Sequence, residues 1–320
     1  MRKIDIEQVR SLRGFVRVLT DLKPLSGGER YFRGEPEDFK EGAFTPSIYR
    51  DSGLLKSEPN IYREMQRFND QEFRDDKTTF DKLSRMQHYG APTRLIDMSE
   101  DALSALYFAL NDQSKESDTG VPEHDAVVYV IDVASKNLRY YDSDAVSVVA
   151  NLAKSPFTND TKKNKRTIAR DAHKYRARVK FFNQRRSTKF LLHDIKEEKP
   201  YFSSIIDPEH IFSVQCVKPK FTHSRINSQK GAFLLFGLNP EKLRKNIGLI
   251  EKCGKKLCLT SNKTIMHPVK RITKIVIEAK AINKMNKNLE KRLGVKTPFI
   301  YPEMDKVARY LARTLKTSRD

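Results

Sequence analysis

Cysteine is scarce in this chain: three in 320 residues. An odd, small number in a chain of this length excludes a disulfide framework, so free thiols in a reducing compartment are expected. Long apolar runs are missing as well. The run from Ala126 to Ile131, six residues, is as long as any, far short of the roughly 18 residues a spanning helix needs, so a helical membrane protein is excluded. No apolar stretch follows Met1-Arg2-Lys3, so no secretory leader is expected and a cytoplasmic location follows. There is no Gly-x-x-x-x-Gly-Lys-Ser/Thr loop, no Gly-x-Ser-x-Gly elbow and no His-Glu-x-x-His helix, which sets aside P-loop enzymes, serine hydrolases of the elbow type and zincins. Cys253 and Cys258, spaced C-x4-C, lack a second close pair, so no metal site is expected.

Acidic residues are also in deficit: 41 Asp and Glu face 61 Lys and Arg, for a net charge of +20. The excess is local. Residues 154 to 199 carry fifteen basic against five acidic side chains, and residues 251 to 292 carry twelve against three, leaving 34 against 33 elsewhere. Lys162, Lys163, Lys165, Arg166, Arg170, Arg178, Arg185 and Arg186 in the first segment are candidate contacts to nucleic acid or another polyanion. Tyr175, Phe181 and Phe182 stand among them as rings that could stack on bases. The plainer reading is a solvated basic helix with Tyr175 and Phe182 turned into the core.

Hydrophobic spacing from Ile6 to Leu19 predicts an opening helix over residues 1 to 27. Helices are predicted also from Asn60 to Phe73, Phe80 to Tyr89, Ala102 to Leu110 with Ser99 as N-cap, Ile168 to Phe182, and Asp305 to Leu315. Strands are predicted at Arg30 to Gly34, Thr93 to Asp97, Asp125 to Val133, Ile211 to Val217, Gly231 to Gly237 and Ile272 to Ala279. With no internal repeat, the pattern implies an α+β fold, a mixed sheet with surrounding helices.

Three polar blocks adjoin turns and apolar runs: Tyr31-Phe32-Arg33-Gly34-Glu35; Gln87-His88-Tyr89-Gly90-Ala91-Pro92-Thr93-Arg94-Leu95-Ile96-Asp97-Met98-Ser99; and Arg225 to Phe233. Each has a structural reading beside the chemical one. Arg33 could be a buried arginine paired with Asp97, His88 a hydrogen-bonded core histidine, and Gly90 and Pro92 turn residues. Taken together, the blocks resemble the FRG domain family, which shows Phe-Arg-Gly, then Gln-His-Tyr-Gly-x-Pro-Thr-Arg-Leu-Leu-Asp-Trp-Thr, then Arg-x-x-x-Gln-x-Gly-x-Phe. Arg33, Gln87 to Asp97, and Arg225, Gln229, Gly231 and Phe233 match position by position, and Tyr301-Pro302-Glu303-Met304-Asp305 is similar to the closing pattern. Met98-Ser99 replaces the Trp-Thr pair, and the chain has no tryptophan at all.

The resemblance implies one domain over residues 28 to 312 with a basic helical insertion at 154 to 199 and a tail at 313 to 320. It also implies a bacterial or phage setting in which the protein acts as a toxin-like or anti-phage defence effector. The order of elements is similar to that of mono-ADP-ribosyltransferases, which implies NAD as the small molecule bound. In that layout Arg33, His88, Asp97 and Gln229 carry the chemistry, with Glu35 as a further nearby acid. Arg33, Gly34, Tyr89, Thr93, Arg94 and Ser99 hold the NAD. Where those enzymes place a carboxylate, this sequence has Gly231. The alternative from a different class is a non-catalytic nucleic-acid-binding module that uses the two basic regions.

Overall fold

The computed structural model describes residues 3–111, 122–156, 167–221, 227–238, 249–253, 256–260 and 267–316. Its centre is β4 (Ala126–Ala134), the apolar run already noted. Eight of its nine residues are buried, so both faces of the strand are covered and it takes an interior place. Around it β1 (Asp5–Val9), β2 (Gly28–Glu35), β3 (Leu95–Ser99), β5 (Leu138–Tyr140), β6 (Val214–Lys218), β7 (Gly231–Phe236) and β10 (Val269–Ile277) complete an eight-stranded sheet in the order β1-β10-β4-β2-β3-β7-β6-β5. Pairing is antiparallel through the middle and parallel at both edges, where β1 meets β10 and β5 meets β6. A separate hairpin joins β8 (Ile250–Cys253) to β9 (Lys256–Leu259). With twelve α-helices among the described residues, the architecture is the expected α+β.

The helices are α1 (Leu12–Asp21), α2 (Ser47–Arg50), α3 (Ser52–Phe68), α4 (Thr79–His88), α5 (Ala102–Leu110) and α6 (Asp144–Asn151) in the first half. They continue as α7 (Ile168–Lys174), α8 (Val179–Asn183), α9 (Arg186–Glu198), α10 (Ala279–Leu293), α11 (Thr297–Ile300) and α12 (Met304–Lys316). Side chains alternate between the faces of a strand, and the alternation sorts the core into three clusters. On one face α4, α6, α7 and α9 pack against Leu95, Phe233 and Leu235. On the same face, farther along the sheet, α1, α5 and α10 pack against Phe32, Val128, Val130 and Ile275. The opposite face buries Tyr31, Ile96, Met98, Tyr129 and Leu234 together with Phe44 and the hairpin residues Ile250 and Leu259. The first two clusters are neighbours with a gap between them, and the gap is where the candidate site lies.

Several sequence expectations are corrected here. The opening segment is not one helix: Asp5 to Val9 pairs in register with Thr273 to Ile277, because an open sheet edge offers backbone partners that a short amphipathic helix cannot match. Ser99 belongs to β3, and Asp101 caps α5 instead, accepting from the backbone nitrogens of Leu103 and Ser104. The helix foreseen from Asn60 begins already at Ser52, where Asp51 caps it. The stripe from Ile168 to Phe182 is broken at Tyr175 to Arg178 into α7 and α8, so Val179 turns outward while Phe182 stays in the core. The basic segment is no appendage in its described part, since Ile168, Ala172, Phe182, Leu191 and Ile195 complete the first cluster. Cys253 and Cys258 are joined by a disulfide across the β8–β9 hairpin, contrary to the expectation of three free thiols; Cys216 is free and buried.

Candidate functional site

β2 is paired with β4 along its whole length, from Gly28↔Ala134 to Glu35↔Val127, but with β3 only at Phe32↔Ser99. Beyond that pair the two strands diverge. A side chain takes over where the ladder stops: Arg33 Nη1 donates to the carbonyl of Asp97 at 3.0 Å. The divergence opens a cavity of about 330 Å³ between α4 and α5, and Arg33, which alternates onto the opposite face with Tyr31, reaches it through the gap between the strands. Phe32, Phe108, Phe233 and Tyr301 supply aromatic wall, and Arg33, Gln87, His88, Asp97, Ser99 and Gln229 supply polar groups.

The Gly of the first block has a packing reason. A Cβ on Gly34 would overlap the Ala105 carbonyl and stand 2.8 Å from the Ala109 nitrogen, so α5 lies directly on the β2 backbone. Gly34→Ala must push a helix off a strand, and is expected to cost about 3 kcal/mol, the upper end for overpacking against atoms that cannot yield. Urea denaturation measures it, and a loss below 1 kcal/mol would contradict this packing account.

On the other side, α4 begins with a reciprocal capping box between Thr78 and Asp81. That fixed start sets the direction of its last turn, which delivers Gln87 and His88 to the cavity. Gln87 Nε2 donates to Asp97 Oδ2 at 2.6 Å, while its carbonyl oxygen accepts from the Thr93 hydroxyl. The Asp97 carboxylate is exposed to the cavity yet held in place by this relay.

Arg33 Nε donates to Glu35 Oε1 at 2.9 Å, and its Nη2 has no hydrogen-bond partner among the described residues. Glu35 is buried, with no hydrogen-bond partner for Oε2 among the described residues, and burial raises its carboxyl above the usual range against the opposing pull of Arg33. The unfolded chain therefore releases this proton at a lower pH than the folded protein does. Stability falls as pH rises from the ordinary carboxylate range through the raised folded value. Glu35→Gln should remove that component, so its stability relative to wild type should improve as pH rises from the ordinary carboxylate range in urea titrations; an unchanged difference would refute it.

Two contacts reach the cavity from far along the chain. His88 Nε2 lies 3.3 Å from Glu303 Oε1, and both Glu303 carboxylate oxygens are shut off from solvent. Gln229 Nε2 donates to the Ile300 carbonyl at 3.0 Å and the Gln229 carbonyl accepts from the Ser99 hydroxyl at 2.6 Å. Gln229 thus ties the end of α11 to β3, and with it the wall residue Tyr301. Glu303 was quoted in the closing motif but given no role by sequence reasoning; only the fold brings it to His88.

Arg33, Gly34, His88, Asp97, Ser99 and Gln229 thus share one cavity. Three other residues taken from the sequence for NAD contact do not line it. Tyr89 is exposed and donates to Glu72. Thr93 is buried behind Gln87. Arg94 has no solvent exposure and forms a two-pronged pair with Glu58, so its charge is spent on the core. In the basic segment Arg170, Arg178 and Arg186 are exposed, and Arg185 is half-buried 3.3 Å from Asp171. Lys162, Lys163, Lys165, Arg166 and Arg225 lie outside the described residues. No described helix is long and apolar enough to cross a membrane.

Residues 28–118 match the family model described as FRG domain. The match covers β2, α4, β3 and α5, the elements that frame the cavity, and stops short of Gln229 and Glu303. No curated protein and no solved structure matches the chain.

Proposed function

We propose, from the premise that this chain carries an FRG domain, that the cavity takes the nicotinamide riboside half of NAD and cleaves its N-glycosidic bond. The observation that carries this is the convergence of Arg33, Asp97 and His88 among aromatic walls where the sheet parts. At about 330 Å³ the cavity is at the small end of ligand sites, suited to one nucleoside rather than a whole dinucleotide. The adenylate half then remains outside. Phe32, Phe108 and Tyr301 offer ring faces and edges to the nicotinamide. The Nη2 group of Arg33 is available for the adjoining phosphate.

As the C1′–N bond breaks, its electron pair leaves with nicotinamide and C1′ becomes cationic. The Asp97 carboxylate, fixed by Gln87, offsets that charge without having to reorganise. The oxygen of a water bonds to C1′ and its proton passes to His88, whose imidazolium Glu303 then stabilises. Products are ADP-ribose, nicotinamide and a proton. A side-chain hydroxyl in place of water gives ADP-ribosyl transfer instead. Gly231 leaves no carboxylate on β7, but Asp97 is paired to Phe233 on the adjacent strand and supplies one from β3. Depletion of NAD is harmful to the cell in which it happens, which fits a toxin-like or anti-phage defence effector. The test is to incubate the purified protein with NAD and follow nicotinamide by chromatography. Release by wild type is expected, and its absence at every protein concentration, with no labelled ADP-ribose transferred to protein, rules the proposal out.

A further inference from the structure

The surface formed by α7, α8 and the start of α9 is unrelated to the cavity. Between Asp171 and Asp194 the chain has no acidic residue, and it carries seven basic ones. Asp171 is buried, accepting from the Ser187 hydroxyl and pairing with Arg185, so it does not neutralise this surface. Arg176 is paired with Glu209. Arg178, Lys180, Arg186 and Lys189 are exposed, with no ion-pair partner among the described residues.

Here the chain places neighbouring apolar residues on opposite sides. Phe182 and Leu191 are in the core, whereas Phe181 and Phe190 are 54% and 43% exposed. The outward rings are ordered against their neighbours. Phe181 stacks on Tyr175, itself half-buried against the first cluster, with planes 20° apart, and the Arg186 guanidinium lies 5.5 Å over Phe190. Lys174 stands over Tyr175 at 5.3 Å. Ring faces at intervals among cations are what an unpaired strand of bases and phosphates requires: every base has a face to stack, and every phosphate has a charge to neutralise. A duplex would hide its base faces from these rings. A lipid surface would favour a continuous apolar face, whereas each exposed ring here is flanked by charge.

We infer that this surface is a docking site for single-stranded nucleic acid, bound with little sequence preference. The inference is independent of NAD chemistry. Lys174, Arg178, Lys180, Arg186 and Lys189 engaging five phosphates give a salt slope of roughly −3.5, or about a 100-fold loss of affinity between 50 and 200 mM salt.

The experiment is fluorescence anisotropy of the full chain with labelled 12-mers of uridine and of thymidine. Binding that weakens about 100-fold over that salt range is expected. The double variant Phe181→Ala/Phe190→Ala should bind at least tenfold more weakly with the same salt slope. The variant Arg178→Gln/Lys180→Gln/Arg186→Gln/Lys189→Gln should flatten the slope. Both alter exposed side chains only, and Asp97→Asn should bind like wild type. Uridine against thymidine distinguishes RNA from DNA as the preferred strand. Absence of oligonucleotide binding, binding unaffected by both surface variants, or binding of phosphatidylserine vesicles with none of oligonucleotide would each overturn the inference.

Discussion

Replacing Arg94 alone with leucine is expected to remove about 3–5 kcal/mol of folding stability, the usual loss when one member of a buried ion pair is deleted. Arg94 is completely buried and Glu58 nearly so. The guanidinium spends its donors on three elements: Nε and Nη2 on the Glu58 carboxylate of α3, and Nη1 on the Phe236 carbonyl of β7 at 3.0 Å and on the Tyr49 hydroxyl of α2 at 3.3 Å. Without Arg94 the Glu58 carboxylate is a charge in the core with no counterpart, and the Phe236 carbonyl loses a donor. The double variant Arg94→Leu/Glu58→Leu should recover much of the loss, because it leaves no unpaired charge behind. Urea unfolding of the two single variants and the double variant gives the result. Singles within 1 kcal/mol of wild type would show that the pair is not what joins α2 and α3 to the sheet.

The second large effect concerns chemistry. Asp97→Asn keeps the shape of the side chain and a group that Gln87 can bond, but removes the negative charge. If Asp97 offsets the cationic ribose, nicotinamide release should fall about 10²–10³-fold in kcat, the usual size for loss of one well-placed transition-state stabiliser. KM for NAD should change less than kcat, since in the ground state the positive charge is spread over the nicotinamide ring and reaches C1′ only as the bond breaks. Arg33→Lys should do the reverse. It loses the fork that reaches Glu35, the Asp97 carbonyl and a phosphate together, so it raises KM more than it lowers kcat. Equal kinetics for Asp97→Asn and wild type would assign Asp97 to packing alone.

The part of the fold that frames the cavity was legible because its signals are local. Gly34, the α4 helix, the Gly90-Ala91-Pro92 turn and the apolar β3 strand each declare themselves within ten residues. The strand β1 was missed because its apolar spacing also fits a helix, and what decides between them is the free edge of β10, more than 260 residues away. Arg94 was read as a ligand contact because a charged residue inside a motif invites that. Its partner Glu58 sits on another helix, and sequence alone does not report burial. Glu303 was passed over for the same reason in reverse, since nothing near it in the chain marks it as a partner of His88. The basic segment was recognised by composition, but which rings face outward depended on the break at Tyr175 to Arg178.

A crystal structure of the protein with a non-hydrolysable carba-analogue of NAD tests the central claim most directly. The nicotinamide should lie among Phe32, Phe108 and Tyr301, with the ribose carbon beside the Asp97 carboxylate and the adjoining phosphate on Arg33. An empty cavity at a saturating concentration of the analogue, or the analogue bound elsewhere on the molecule, would contradict it.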